Sequence, residues 1–219
     1  MPALDSAVLE RLAADGSVVS VGRGTIVPLD APAVAVVYDG WFRVFRNAAF
    51  VRDVTLVLAG PGQLLAPGTV FGDRSAESGA EAVTDGAILR VSSEVWDRHA
   101  AAAPAMYATI ARSLARRTLR VQRKLEAFSR APVESRVAGA LLELAEDAGI
   151  AQADGAVRLD LPLSQEDLAG LAGTTRESCS SAVAAFAREG LVRGSRLRGL
   201  VLLRPERLAE LAAVDFRGS

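Results

Sequence analysis

Two charged residues at the start of a predicted helix have side chains that suit contacts with nucleic-acid bases. Arg176 carries a planar guanidinium that matches guanine O6 and N7, and Glu177 can accept a hydrogen bond from cytosine N4. Thr175 and Ser164, each at the start of a predicted helix, can donate to phosphates. The full set of candidate DNA contacts adds polar neighbours and downstream arginines: Ser164, Gln165, Thr175, Arg176, Glu177, Ser180, Ser181, Arg193, Arg196 and Arg198.

Two short predicted helices and a tight turn must position these side chains. Ser164 and Asp167, three residues apart, are typical of a capping box at a helix start. Gly173 permits a sharp turn after that first helix. Thr174 or Thr175 can then cap the second helix.

The second helix has a single apolar face, and a basic hairpin follows it. Cys179, Ala182, Val183 and Phe186 stand at i, i+3, i+4 and i+7, which predicts one buried stripe. The candidate contacts of this helix lie on the opposite face. Short apolar strands flank the basic turn 193–199. Two helices, a tight turn and a basic hairpin together predict a winged helix-turn-helix.

The charge distribution favours a polyanionic partner for the C-terminal half. The chain of 219 residues has a net charge of -1, is 50% hydrophobic and 23% charged, and so is typical of a globular protein. From Thr174 to Arg204 there are six Arg and two Glu. Clustered cations suit contact with phosphates. The alternative is that arginine is simply a good helix former on a surface.

The N-terminal half has the residue pattern of a small β-domain. Asp39-Gly40 indicates a hairpin, and Pro61-Gly62 and Pro67-Gly68 indicate further turns. Many short strands separated by such turns predict a β-roll or jelly roll. The predicted strands are residues 18–21, 25–29, 34–38, 42–45, 51–58, 63–65, 69–71, 81–83 and 87–91.

A long helix is predicted from Pro104 to about Phe128, and residues 129–132 form a predicted hinge. Its apolar positions are three or four residues apart, which favours pairing with a second copy of the chain in a parallel coiled-coil-like dimer. The alternative is that the stripe packs against its own β-roll. The predicted dimerisation residues are Tyr107, Ile110, Leu114, Thr118, Val121, Leu125 and Phe128.

The remaining chemistry-bearing residues argue against an enzyme or a metal protein. The chain has one His and one Cys, so no zinc or iron–sulfur pattern is present. A cupin-like enzyme on the β-roll is the alternative from another class, but it needs an inward cluster of His or carboxylates. Cys179 fits a small core residue better than a redox sensor. No export signal or membrane span is predicted, so we expect a cytoplasmic protein.

Three stretches carry a family resemblance: Leu163–Ala169 (LSQEDLA), Gly173–Glu177 (GTTRE) and Arg188–Val192 (REGLV). They resemble the DNA-binding domain of the cyclic-AMP receptor protein / fumarate–nitrate reductase regulator (CRP/FNR) family. The resemblance implies a homodimeric transcription regulator with Arg176 and Glu177 as base-contacting residues. Ser181 stands where the family commonly has Arg, so a base contact is expected to be lost or weakened.

The N-terminal half is similar to the family's cyclic-nucleotide-binding-type domain, through Tyr38–Phe45 and Leu58–Gly62. The family holds the ribose with Gly-Glu, where this chain has Ala66-Pro67. It holds the phosphate with Arg-Ser-Ala, where this chain has Ala76–Gly79. Arg74-Ser75 is the only nearby candidate substitute, and it lies too early unless the loop is slipped. The carboxylate of Glu77 would repel a phosphate, and Pro67 has no backbone N–H to donate to a ligand. We therefore expect no cyclic-nucleotide binding.

These observations predict an α+β protein with three parts. Residues 1–103 form an N-terminal β-roll of the cyclic-nucleotide-binding-like jelly-roll type, 104–130 a dimerisation helix and hinge, and 131–219 a winged helix-turn-helix. The predicted function is sequence-specific binding of double-stranded DNA as a homodimer, with no cofactor, and activation through RNA polymerase. Alternatives are a regulator that senses a non-nucleotide effector, and a scaffold whose helix-turn-helix no longer contacts DNA.

Overall fold

The computed structural model describes residues 3–29, 33–48, 51–71, 78–161, 163–194 and 198–213. The chain forms two compact units, residues 1–119 and 120–219. Their boundary falls inside the long helix, because the C-terminal part of that helix packs with the second unit. Among the described residues, no helix combines the length and apolar character that crossing a bilayer requires.

The first unit is a β-roll flanked by helices. Its elements in chain order are α1 Ser6–Asp15, β1 Ser17–Val21, β2 Ile26–Pro28, β3 Ala33–Asp39, β4 Phe42–Ala48, β5 Val51–Ala59, a 3-10 helix Pro67–Phe71, β6 Ser78–Ala82, β7 Gly86–Ser92, α2 Ser93–Ala102 and the start of α3 Ala105–Arg130. One antiparallel sheet has the order β1-β7-β3 and the other β2-β6-β4-β5.

Strand β3 shows how alternation builds the two cores of this unit. Ala35 and Val37 point into an apolar core that both sheets share, together with Phe42 of β4. Val34 and Val36 point the other way, into a second core formed with α1, α2 and the start of α3. Because successive side chains alternate across a strand, one strand supplies both cores.

The predicted strand at residues 69–71 is wrong, since these residues lie in the 3-10 helix. Pro67 has no backbone N–H and a fixed φ, which suits the first turn of a helix better than a paired strand. The Thr69 hydroxyl donates to the Ala66 carbonyl at 2.7 Å and so reinforces the turn. In the predicted strand at 63–65, Leu64 forms only an isolated bridge with Val36.

The second unit joins helices to one small sheet. Its elements are the end of α3, then α4 Val133–Ala148, β8 Gly149–Ala151, β9 Val157–Asp160, α5 Gln165–Ala172, α6 Arg176–Arg188, β10 Val192–Arg193, β11 Arg198–Leu202 and α7 Pro205–Ala213. The antiparallel sheet has the order β10-β11-β9-β8. Gly149–Ala151 pairs with β9 as an edge strand of this sheet.

A buried ion pair fixes the end of α3 in the second unit. The Arg120 guanidinium donates to both carboxylate oxygens of Asp147, at 2.6 and 2.8 Å, and both side chains are buried. Bidentate pairs of this kind constrain geometry as well as distance. The C-terminal part of α3 is therefore tied to α4.

Candidate nucleic-acid interface

Helix α6 divides into a buried face and an exposed face, as its sequence predicts. Cys179, Ala182, Val183 and Phe186 are all buried in the second unit. The opposite face carries the predicted contacts: Arg176, Glu177 and Ser181 are exposed, and Ser180 is half-buried. The apolar face anchors the helix, and so the polar face is presented outward.

Thr175, rather than Thr174, caps α6. Its Oγ1 accepts from the Ser178 backbone N–H at 3.2 Å, and its hydroxyl donates to Ser178 Oγ at 3.1 Å. Gly173, at φ 60° and ψ 47°, adopts the left-handed conformation that the turn requires. The start of α6 is thereby fixed by one cap and one glycine.

Ser164 forms the predicted capping box with Asp167. Its Oγ accepts from the Asp167 backbone N–H at 3.1 Å, while its own N–H donates to Asp167 Oδ2 at 2.8 Å. The hydroxyls of Ser164 and Thr175 both have partners within the chain in the free protein. A phosphate contact from either one must therefore share or exchange a capping hydrogen bond.

Arg176 is the exposed cation that the turn places at the first position of α6. Within the described part of the chain its side chain has no hydrogen bond or ion pair. Glu177 lies beside it in the first turn, where a carboxylate is stabilised by the helix dipole. Gln165 is half-buried at the start of α5.

Sequence reasoning missed one residue that holds this arrangement. Arg136 of α4 donates from Nη1 to the Gly173 carbonyl at 2.8 Å. It thus joins α4 to the turn that orients α6. The two residues are 37 positions apart, so local patterns carry no signal of the contact.

The structure describes part of the predicted basic wing, which is the hairpin around residues 193–199. Val192 pairs with Leu202 and Arg193 with Val201, and Arg193 is exposed. Arg196 lies outside the described residues. Arg198 is described through its backbone in β11 alone. The hairpin itself agrees with the sequence prediction.

Cys179 has the properties of a core residue. It is fully buried, and burial raises the pKa of its thiol to about 11. Because the thiolate is the reactive form, native protein at neutral pH is expected to react with iodoacetamide roughly a hundredfold more slowly than urea-unfolded protein. Mass spectrometry of timed samples measures both rates. Equal rates would contradict the core assignment.

The predicted dimerisation stripe on α3 has two environments. Ile110 is fully buried in the core of its own unit, and Leu114 is half-buried against the same core. Four other positions of the stripe are exposed: Tyr107, Thr118, Val121 and Leu125. The Tyr107 hydroxyl donates to the Asp97 carboxylate at 2.9 Å. The side chain of Phe128 is not described. Ile110 therefore serves its own unit, while the exposed positions are available to a partner.

Ala66 and Pro67 stand where the resembled family holds the ribose of its nucleotide. Ala66 packs beside the core between the sheets, and Pro67 is buried. Residues 72–77, which include Arg74, Ser75, Ala76 and Glu77, lie outside the described residues. Among the described residues no group of His, Cys, Asp or Glu is arranged to hold a metal ion.

The comparisons with known proteins agree with this geometry. A family model described as a Crp-like helix-turn-helix domain matches residues 135–211. A CRP-like cAMP-activated global transcriptional regulator from Mycobacterium tuberculosis is 30% identical over 179 residues, which are 81% of this chain and 78% of the relative. The chain belongs to the CRP/FNR family.

Two further CRP-type proteins support the assignment. The Cyclic AMP receptor protein of Thermus thermophilus is 32% identical over 161 residues, 74% of this chain and 71% of the relative. A solved CRP/FNR-family transcriptional regulator from the same species has a TM-score of 0.67 at 25% identity, covering 90% of this chain and 98% of the other. The CRP/FNR resemblance and the α+β fold with a C-terminal helix-turn-helix are confirmed, and the chain is a DNA-binding transcription regulator of the CRP/FNR type.

Proposed function

We propose that this CRP/FNR protein binds a two-fold symmetric DNA site as a homodimer, without a cyclic nucleotide, and activates transcription in the cytoplasm by recruiting RNA polymerase. The observation that carries the DNA proposal is Arg176. It is exposed at the first position of α6, and Gly173 and Thr175 fix the start of that helix. A guanidinium in that position suits bidentate contact with guanine in the major groove.

Support for the homodimer comes from the exposed side of α3. Leu125 is 64% exposed, Val121 41% and Tyr107 37%, and they follow one helix face with Thr118 between them. Large apolar side chains on one exposed helix face are typical of a coiled-coil-like partner. The dimerisation segment 104–130 and the winged domain 131–219 are part of the same proposal.

Support for independence from cyclic nucleotides comes from the β-roll. Side chains of both sheets, including Phe42, Val44, Val57 and Ile88, fill the space between them. At the positions where the family holds the ribose, this chain has Ala66 beside that core and the buried Pro67, which has no backbone N–H to donate. The Mycobacterium relative is cAMP-activated by name; we propose that this chain differs in its effector.

Selection of bound DNA from a random pool tests the proposal, using purified protein with no added ligand. We expect a pseudo-palindromic site whose half-sites lie about 34 Å apart. The reason is that the two winged domains of a dimer, related by a two-fold axis, bind one face of the duplex. Enrichment only after cAMP is added would contradict ligand independence. With bacterial RNA polymerase, a template carrying the selected site should give more transcript; less transcript would indicate repression.

The wing arginines are predicted to contact phosphates. Replacing Arg193, Arg196 and Arg198 with Gln should lower the affinity for all DNA sequences alike. It should also reduce the slope of the logarithm of the DNA association constant against the logarithm of the salt concentration, by about 1 for each lost phosphate contact. Shift assays over a salt series measure the slope. An unchanged slope would place the wing away from the DNA backbone.

A further inference from the structure

A second site is suggested by a cavity inside the DNA-binding unit. It is partly open to solvent and has a volume of about 330 Å³ between the end of α3 and helices α4, α5 and α7. Its wall includes small or apolar residues such as Ala127, Gly139, Ala140, Leu171 and Ala212. This volume is within the range of small-molecule pockets.

One end of the cavity is suited to an anion. Ser135 lines it and is only 7% exposed, yet its hydroxyl makes no hydrogen bond to the residues that the structure describes. Ser135 lies in the first turn of α4, whose N-cap, Pro132, supplies no side-chain cap; the carboxylate of that turn, Glu134, is exposed and does not line the cavity. Backbone N–H groups at an uncapped helix start attract negative charge. Arg136, beside Ser135, adds a positive charge to the same end.

The other end is less favourable to an anion. Glu143 and Glu146 line it, about 12 Å or more along α4 from Ser135. Lys124 lies 3.8 Å from Glu143, and burial lowers the pKa of its ammonium while Glu143 opposes that shift. The carboxylates therefore offset the cations there. The polarity of the cavity places a negative group at the Ser135 end and an apolar body along the small residues.

We propose that this cavity binds a carboxylate attached to an apolar chain, with the carboxylate against Ser135 and the start of α4. The regulatory part of the proposal rests on the proposed DNA-binding function. Arg136 and Leu171 line the cavity, and Arg136 also holds the Gly173 carbonyl. A bound carboxylate competes for the Arg136 guanidinium, loosens the turn and lowers DNA affinity. Coupling energies of this kind usually correspond to about 5-fold changes or more.

Isothermal titration of the full chain with decanoate tests the site directly, without DNA. We expect one decanoate per chain, and at least tenfold weaker binding of decan-1-ol, which has the same chain and no charge. Gly139→Leu should abolish binding, because a Cβ at Gly139 fits 4.0 Å from Ala212 Cβ while the larger side chain fills the cavity. Leucine is also a better helix former than glycine, so the fold should persist.

Two matched variants complete the test. Gly139→Ala adds only the Cβ and should bind decanoate within about threefold of the wild type, whereas Ser135→Ala should bind several-fold more weakly. Absence of decanoate binding to the wild type, or equal binding by Gly139→Leu, overturns the site. Binding that appears only in a chain shortened to end at Ala213 also overturns it, and assigns the cavity to the chain's own C-terminus.

Shift assays on the selected DNA test the regulatory part. Saturating decanoate should weaken DNA binding at least about 5-fold in the wild type and leave Gly139→Leu unchanged. Decanoate binding with unaltered DNA affinity overturns the coupling alone. Decanoate binding by a protein that fails to bind any DNA refutes the proposed function while the ligand site stands.

Discussion

Replacing Arg176 with alanine is expected to weaken binding to the selected DNA site by about 10- to 100-fold, which corresponds to about 1–3 kcal/mol. The reason is that a bidentate contact to one guanine disappears from each half-site. The exposed position of Arg176 at the start of α6 means that the substitution removes no contact within the described part of the chain. The variant should therefore also accept other bases at that position. Shift assays with the selected site and single-base variants measure both effects.

Arg188 provides the matched control for Arg176. It is an exposed arginine on the same helix, in the last turn rather than the first. The two Cα atoms are about 18 Å apart along the helix axis, so Arg188 lies too far from the base edges contacted by the N-terminal turn. Arg188→Ala should change specific affinity by less than threefold. Wild-type affinity in Arg176→Ala would refute base recognition by this residue.

Replacing Leu125 with aspartate is expected to convert the dimer into monomers and to weaken specific DNA binding by more than about 100-fold. Leu125 is 64% exposed on the described stripe of α3, so the substitution costs the single chain little. In a dimer, it buries two like charges close together, which is strongly unfavourable. When the two winged domains are no longer linked in a dimer, the gain in affinity from binding both half-sites at once is lost. Light scattering measures the mass, and shift assays measure the affinity.

Leu119 supplies the control for Leu125. It is 53% exposed on the same helix, but it lies roughly 120° around the axis from Leu125. Leu119→Asp should remain dimeric with near-normal DNA affinity. If Leu119→Asp dissociates the protein and Leu125→Asp does not, the dimer uses a different face of α3.

Local features of the interface could be predicted from sequence because they depend on neighbours within a few residues. The Ser164–Asp167 capping box, the Gly173 turn and the buried stripe from Cys179 to Phe186 all span eight residues or fewer. Each follows from hydrogen bonding and periodicity within one turn or two of helix. These features were sufficient to predict a helix-turn-helix.

Contacts between distant segments could not be predicted in this way. The Arg136–Gly173 and Arg120–Asp147 contacts join different elements, and a single sequence shows nothing of such pairs. Ile110 shows a second limit, since its spacing places it on the α3 stripe but cannot say whether its own core or a partner covers it. Residues 69–71 show a third, because the β-branched Thr69 and Val70 favour a strand while Pro67 favours the observed helical turn.

Methylation protection of guanine N7 on the selected DNA tests the central proposal most directly, with purified protein and no nucleotide present. Two dimer-related α6 helices should protect guanines in two major-groove segments whose centres are about 34 Å apart, on one face of the duplex. The Arg176→Ala protein should lose one guanine of each segment. Protection of a single segment, or protection that requires added cAMP, would contradict the proposal that a ligand-free dimer binds the DNA.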